Sequence, residues 1–289
     1  MKYFFPLVIL TLFPACAFAQ FEYRSDWNRL PTTFKPYVVK LMTPDGINIL
    51  RDAPHDHSHH HALMFAIKVD DVNCWEEYNP KDFGRQETTS LEDTLNGVDV
   101  TKKVETTLTW SNGVGQPLVQ EKRIITARPI GGATVLDWTS VFTLPPDKET
   151  AKLGGSHYHG LGMRFLESMD KDGRYFNSEK ESAESEEVNG AKLTRCHWMA
   201  YTAKAKGKSV TVAIFDAKDN PRQMLAFTMG GNGREFTYLS ATCNLYREPL
   251  TLTTEKPISF RYGVALWDGE QSHETVDKVY QQWKNGREN

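Results

Sequence analysis

Ile258-Ser259-Phe260-Arg261-Tyr262-Gly263-Val264-Ala265-Leu266 decides the fold class. Ile258, Phe260, Tyr262, Val264 and Leu266 fall at every second position, which puts five apolar side chains on one face of an extended chain. The same period recurs upstream. Val104, Thr106, Leu108 and Trp110 alternate with Glu105, Thr107 and Thr109, and Ser111-Asn112-Gly113 follows as a turn. Residues 118–125 make a further strand, closed by Pro129 and Gly131-Gly132. Residues 134–144 alternate again, with Leu136, Trp138, Phe142 and Leu144 on one side, and stop at Pro145-Pro146. Val210, Val212 and Ile214 repeat the pattern, and Gly230-Gly231-Asn232-Gly233 reads as a hairpin turn. The C-terminus alone is helical by pattern: Ser272 suits an N-cap, and Val276, Val279, Tyr280 and Trp283 lie at i, i+3, i+4, i+7. Many short strands and one late helix predict an all-β antiparallel β-sandwich with a C-terminal helix.

Composition sets the limits on function. The 289 residues are 39% hydrophobic and 25% charged, with a net charge of −3, so no basic surface is available for a nucleic-acid partner. No dinucleotide fingerprint, phosphate-binding Gly-rich loop or Gly-x-Ser-x-Gly elbow occurs, which argues against a nucleotide cofactor. Residues 1–19 read as a signal peptide: Met1-Lys2 gives a positive start, residues 4–13 are apolar, and Ala17-Phe18-Ala19 fits a cleavage site. Lipidation at Cys16 is the alternative processing route. The expected location is therefore periplasmic or extracellular, with no transmembrane segment and one domain over residues 20–289. Cys74, Cys196 and Cys243 allow at most one disulfide, so the core has to hold the fold. The acidic stretch 178–189 reads as a solvated loop or hairpin tip.

Five of the nine histidines fall in Asp52-Ala53-Pro54-His55-Asp56-His57-Ser58-His59-His60-His61. No packing rule asks for that density, because imidazoles titrate near neutral pH and are costly to bury charged. If residues 55–61 are extended, His55, His57, His59 and His61 share one face. His157-Tyr158-His159 repeats the i, i+2 spacing, so two adjacent strands would bring both sets together for divalent-metal ligation or acid–base chemistry. Hydrogen-bonded spacers in a polar loop are the bland alternative. Neither a His-Glu-x-x-His helix motif nor a Cys-x-x-Cys pair is present. Nearby candidates are Trp75-Glu76-Glu77-Tyr78, Arg164 and Cys196-His197-Trp198, whose aromatic and charged groups suit sugar rings. Sandwich core serves equally well for Trp75 and Trp198, and turn capping for Asn220.

Lys35-Pro36-Tyr37, Pro44-Asp45-Gly46, Asp56-His57-Ser58-His59-His60, Val72-Asn73-Cys74-Trp75, residues 159–165, Asp219-Asn220-Pro221-Arg222 and Tyr280-Gln281-Gln282-Trp283 occur in an order that resembles a family of secreted bacterial proteins labelled PmoA-like. Ser58, His61 and Ala62 depart from its histidine motif, where Pro, Arg and Gly are usual. The resemblance implies a sandwich like the galactose-mutarotase supersandwich and a place in glycan breakdown.

The resulting expectation is an exported carbohydrate-active enzyme, a lyase, hydrolase or epimerase acting on a glycoside or oxidised sugar. His57, His59, His157 and Arg164 would be catalytic. Asp56, His60, Trp75, His159, Trp198 and Asn220 would contact substrate, and His57, His59 and His159 would hold a divalent metal if one is used. A non-catalytic carbohydrate-binding module and a metal-dependent oxygenase, the activity in the family label, are the alternatives.

Overall fold

The computed structural model describes residues 21–25, 34–79, 81–96, 101–230 and 236–286. The expected signal peptide and the tip Gly231-Asn232-Gly233 lie outside the described residues. Strands are numbered in chain order. One eight-stranded sheet runs β1 (Phe21–Arg24), β2 (Tyr37–Leu41), β3 (Leu63–Ala66), β11 (Gly160–Arg164), β18 (Tyr238–Thr242), β17 (Leu225–Met229), β14 (Ala191–Arg195), β13 (Ser185–Val188). The other runs β12 (Arg174–Asn177), β15 (Trp198–Ala205), β16 (Lys208–Asp216), β20 (Ile258–Asp268), β9 (Ala133–Thr143), β8 (Pro117–Ile130), β7 (Thr101–Ser111), β6 (Arg85–Asn96). A small sheet of β19 (Leu250–Thr253), β10 (Thr150–Gly154), β4 (Lys68–Val69) and β5 (Val72–Asn73) stands beside them. Neighbouring strands pair antiparallel throughout these sheets, as the alternating sequence requires.

The period-two faces meet between the large sheets. Phe65 of β3 contacts the rings of Trp110, Phe142 and Phe260 at 5.6–6.5 Å between centroids. Val104, Thr106, Leu108 and Trp110 of β7 are all buried, as their alternation predicts. In β20 Phe260, Tyr262, Val264 and Leu266 of the expected face join this core and Ile258 packs half-buried against it, while Ala265 and Trp267 belong to a second cluster beneath the helix. Strand β8 continues through Pro129 to Ile130, further than its sequence suggested, before Gly131 and Gly132 turn the chain at positive φ.

One charged pair is sealed in this core. Arg123 donates to both oxygens of Glu121 (2.8 Å each), to Gln86 and to the Pro36 carbonyl, and its guanidinium lies over Trp138. Trp110 and Ser140 donate to the same carboxylate. Such full pairing is what a wholly buried ion pair needs to repay its desolvation.

Helix α1 (His273–Asn285) starts where Ser272 Oγ accepts from the Thr275 amide and lays Val276, Val279, Tyr280 and Trp283 on the outer face of the second sheet. Trp198 sits beneath it: its indole N–H donates to Asp277 (3.1 Å) and its ring packs on Phe176 and His273. The acidic stretch 178–189 includes edge strand β13, which turns through Asn189-Gly190 into β14. Cys74, Cys196 and Cys243 are buried free thiols. Among the described residues no helix is long and apolar enough to cross a membrane.

Candidate functional site

The floor of the site is the outer face of the first sheet. Side chains alternate along β11, so Leu161 and Met163 enter the core while Gly160, Gly162 and Arg164 face out. Pairing sets Arg164 opposite Tyr238 and Tyr238 opposite Met229; Gly162 lies opposite Ser240, and Ser240 opposite Phe227. Gly162 is required there, because a Cβ would overlap the Tyr238 hydroxyl and press on the Trp75 indole.

The histidine loop covers this floor, and it is not the expected strand. The His57 amide donates to the Pro54 carbonyl (3.0 Å) and the His60 amide to the His57 carbonyl (2.9 Å), giving two successive turns. Asp52 and His61 close the loop as an isolated antiparallel bridge, with Ala53 and Ala62 at left-handed φ of 42° and 45° on either flank. Turns replace the alternation, so the imidazoles sort differently. His57, His59 and His60 cluster with ring centroids 4.6–5.7 Å apart. His55 is exposed, and His61 turns away beneath the loop.

His157-Tyr158-His159 is likewise a turn, its His159 amide donating to the Ser156 carbonyl (3.1 Å), so the expected pairing of two histidine strands does not occur. His157 reaches the same cavity as the loop histidines. His159 stacks on Trp75 at 4.9 Å with the rings 8° from parallel, and both are buried behind the cavity wall. Trp75 therefore presents no open ring platform.

The cavity encloses about 220 Å³ between the histidine loop, the 76–78 segment, Tyr158 and the ends of β17 and β18. Arg164, 1% exposed, lies off its lining and donates from Nη2 to Asp56 Oδ2 (2.7 Å), with its guanidinium 4.1 Å from the Phe236 ring centroid. The same Asp56 oxygen lies 3.1 Å from His57 Nδ1. Burial alone would raise the Asp56 pKa, but hydrogen bonds from His57 and Arg164 outweigh it and hold the carboxyl well below the usual range. Arg164, Asp56 and His57 thus form a chain that ends at the cavity.

Burial, helped by nearby cationic groups, pushes His59 down to about 4 and His60 down to about 2, and buried His159 also falls well below its ordinary value. These imidazoles are neutral at pH 7, each with one donor and one acceptor nitrogen. Across the cavity Glu76 accepts from Tyr158 Oη (2.8 Å) and from Asn73 Nδ2. Tyr78, 68% exposed, stands at the mouth edge-on to His59.

Among the sequence-derived candidates, His57, His59, His60 and His157 line the cavity, and Asp56 and Arg164 support His57 from behind. Trp198 lies under α1, away from the cavity. Asn220 donates to Asp216 and to the Arg261 carbonyl and accepts from the Arg261 amide, so it secures a turn. The metal set His57, His59 and His159 is not assembled. Stacking within 19° leaves His57 and His60 side by side, and among the described residues no three His, Cys, Asp or Glu groups are placed to hold a metal ion. Of the Trp75-Glu76-Glu77-Tyr78 block, expected near the site with Trp75 as its ring platform, Glu76 and Tyr78 line the cavity instead, and so does Tyr158 between the two histidines. Phe236 and Tyr238 also line it, and no motif in the sequence marks them.

A family model described as a family of unknown function (DUF6807) matches residues 15–281; its description names no activity and no PmoA relationship. No curated protein matches. Among solved structures, the galactosidase domain of an alpha-galactosidase-sucrose kinase is similar at 10% identity and a TM-score of 0.30, over 72% of this chain and 30% of that one. The chain thus spans about a third of the length of that structure.

Proposed function

Because the chain belongs to this family of unknown function, its activity has to be read from the site, and we propose a carbohydrate-active enzyme that moves protons on a sugar bound in the histidine-lined cavity. The reaction class is lyase, hydrolase or epimerase, and the signal-like first nineteen residues support action outside the cytoplasm. One observation carries the reading: the chain from Arg164 through Asp56 to His57, ending at the cavity.

Asp56 only accepts, so a neutral His57 bonded to it carries its proton on Nδ1 and its lone pair on Nε2. That nitrogen takes the substrate proton, and Asp56 stabilises the imidazolium that forms. Arg164 keeps Asp56 ionised and fixes its orientation. Glu76, positioned by Tyr158 and Asn73, is a second group able to accept or return a proton or to hold a hydroxyl. His59 and His60 offer paired donors and acceptors to ring hydroxyls, and the open ring of Tyr78 suits the C–H face of a sugar. Unpartnered buried polar atoms gather at this place, among them His59 Nδ1, His60 Nδ1, Trp75 Nε1 and Tyr238 Oη. Buried polar groups ordinarily find partners.

The test is a turnover screen on plain and keto-bearing glycosides, with and without chelator. On the substrate it identifies, His57→Gln lowers turnover by about 10²–10⁴-fold with thermal stability near wild type; Asp56→Asn lowers turnover too, and lowers stability because it leaves the buried Arg164 guanidinium without its counter-charge. Retained turnover in His57→Gln overturns the assignment, and loss on chelation transfers the chemistry to a divalent metal. Saturable glycan binding without product makes the protein a binding module instead.

A further inference from the structure

We propose that this cavity selects an uncharged sugar and holds a single ring of it, discriminating against uronic acids and other anionic sugars; this deepens the carbohydrate reading above and rests on it. The first ground is the charge of the wall. Among the described residues the lining contains no lysine or arginine, and Glu76 is the one acidic side chain there. Among the described residues, the cations Arg164 and Lys35 lie off the lining. Arg164 spends Nη2 on Asp56, and its unpartnered Nε and Nη1 are buried with the guanidinium over the Phe236 ring; Lys35, wholly buried, donates to the Trp75 carbonyl (2.6 Å) and to Glu77. Sites that recognise carboxylates or phosphates ordinarily present a free, forked or pointed cation. Among the described residues, a substrate carboxylate would meet Glu76 with no cation exposed in the cavity to offset it.

Size is the second ground. A volume of about 220 Å³ falls below the roughly 300–1,000 Å³ typical of pockets for drug-sized ligands. The sheet floor is closed beneath it: Tyr238 and Trp75 pack against Gly162, and His159 fills the space behind Trp75. A second sugar unit would therefore have to lie outside, past Tyr78 at the mouth. The fit is to a terminal or free monosaccharide ring, with hydroxyls toward the imidazoles and Glu76.

Calorimetric titration of the full mature chain with the methyl glycosides of glucose, galactose, glucuronic acid and galacturonic acid tests the charge selection. The neutral glycoside of at least one pair binds ten-fold or more tighter than its uronide. Glu76→Gln narrows that ratio, because it removes the charge without changing the shape. Extending the better neutral ligand to its disaccharide changes affinity by less than three-fold. A uronide that binds as tightly as its neutral partner overturns the charge selection and leaves the carbohydrate reading standing. A disaccharide gain above ten-fold overturns the single-ring fit. Failure of all four glycosides to bind overturns this proposal and the carbohydrate reading together.

Discussion

Replacing His61 by Gln tests what holds the histidine loop in place. The His61 ring lies between two carboxylates, with Nδ1 2.9 Å from Asp52 Oδ1 and Nε2 3.0 Å from Glu77 Oε2. Ionised carboxylates only accept, so both ring nitrogens carry protons and the group is an imidazolium. Burial opposes that charge, but the hydrogen bonds that the ring donates to Asp52 and Glu77 prevail and raise the His61 pKa above its ordinary value. Tyr37 stacks on the ring at 4.5 Å and donates to Asp52 (2.8 Å). A glutamine can donate to one carboxylate and turns its carbonyl toward the other. Two charge-assisted bonds at about 1.5–3 kcal/mol each are at stake, and since Asp52 is 23% exposed and partly hydrated, the expected loss at pH 6 is about 3 kcal/mol, at the low end for a broken buried pair. The sign with pH follows from the raised pKa. The contribution is complete below the unfolded-state value near 6.5 and is lost as pH rises through the folded-state value. Asp52 and Glu77 are held below the usual carboxylate range, so their share fades only as pH falls below about 4. Urea unfolding of wild type and His61→Gln at pH 6 and pH 9 measures this, with a gap near 3 kcal/mol at pH 6 that narrows at pH 9. Parallel pH profiles, or a gap under about 1 kcal/mol at pH 6, would refute the imidazolium clamp.

Two further substitutions separate the floor of the site from the rest of the sandwich. Gly162→Ala drives a methyl group into the Tyr238 hydroxyl and the Trp75 indole; overpacking of this kind costs about 1–3 kcal/mol. The variant should melt lower and lose ligand affinity together, and unchanged affinity in a folded variant would show that the floor does not shape the cavity. Trp198→Ala empties a fully buried site under α1 and should cost about 3–5 kcal/mol with glycoside affinity unaltered below its melting temperature. A selective loss of affinity there would restore Trp198 to the binding site.

Periodicity made the fold legible where both faces of a strand have simple jobs. In β7 the buried set Val104, Thr106, Leu108 and Trp110 is the apolar half of a plain alternation. In β20 the alternation gave the sheet-to-sheet face, but Gly263, Ala265 and Trp267 are buried as well, because α1 covers the other side and Trp283 lies against Gly263. Period-two reading finds which residues share a face and says nothing of what covers it. The Glu121–Arg123 pair escaped for a related reason. Charges at i, i+2 normally indicate the solvent face of a strand, and only the arrival of Gln86, Trp110, Ser140 and the Pro36 carbonyl from distant segments makes burial tolerable.

The histidine run was legible as a place and misleading as a geometry. Period two assigned His55, His57, His59 and His61 to one face, but the assumption behind it was an extended backbone. Pro54 disfavours helix before it and supplies the carbonyl that the His57 amide binds, while Ala53 and Ala62 take the left-handed conformation that closes the loop. Within that loop the neighbours His60 and His61, which alternation also separates, diverge completely in chemistry. His60 meets other imidazoles and aromatic rings and is kept neutral. His61 meets two carboxylates and is kept charged. The carboxylates come from position 52 at the far end of the loop and from position 77 beyond β5, and no local spacing announces either contact. Two adjacent identical residues thus acquire opposite protonation states from tertiary partners alone. The clamp at His61 fixes the backbone on which His57 and His60 are carried, so the charged histidine positions the neutral ones.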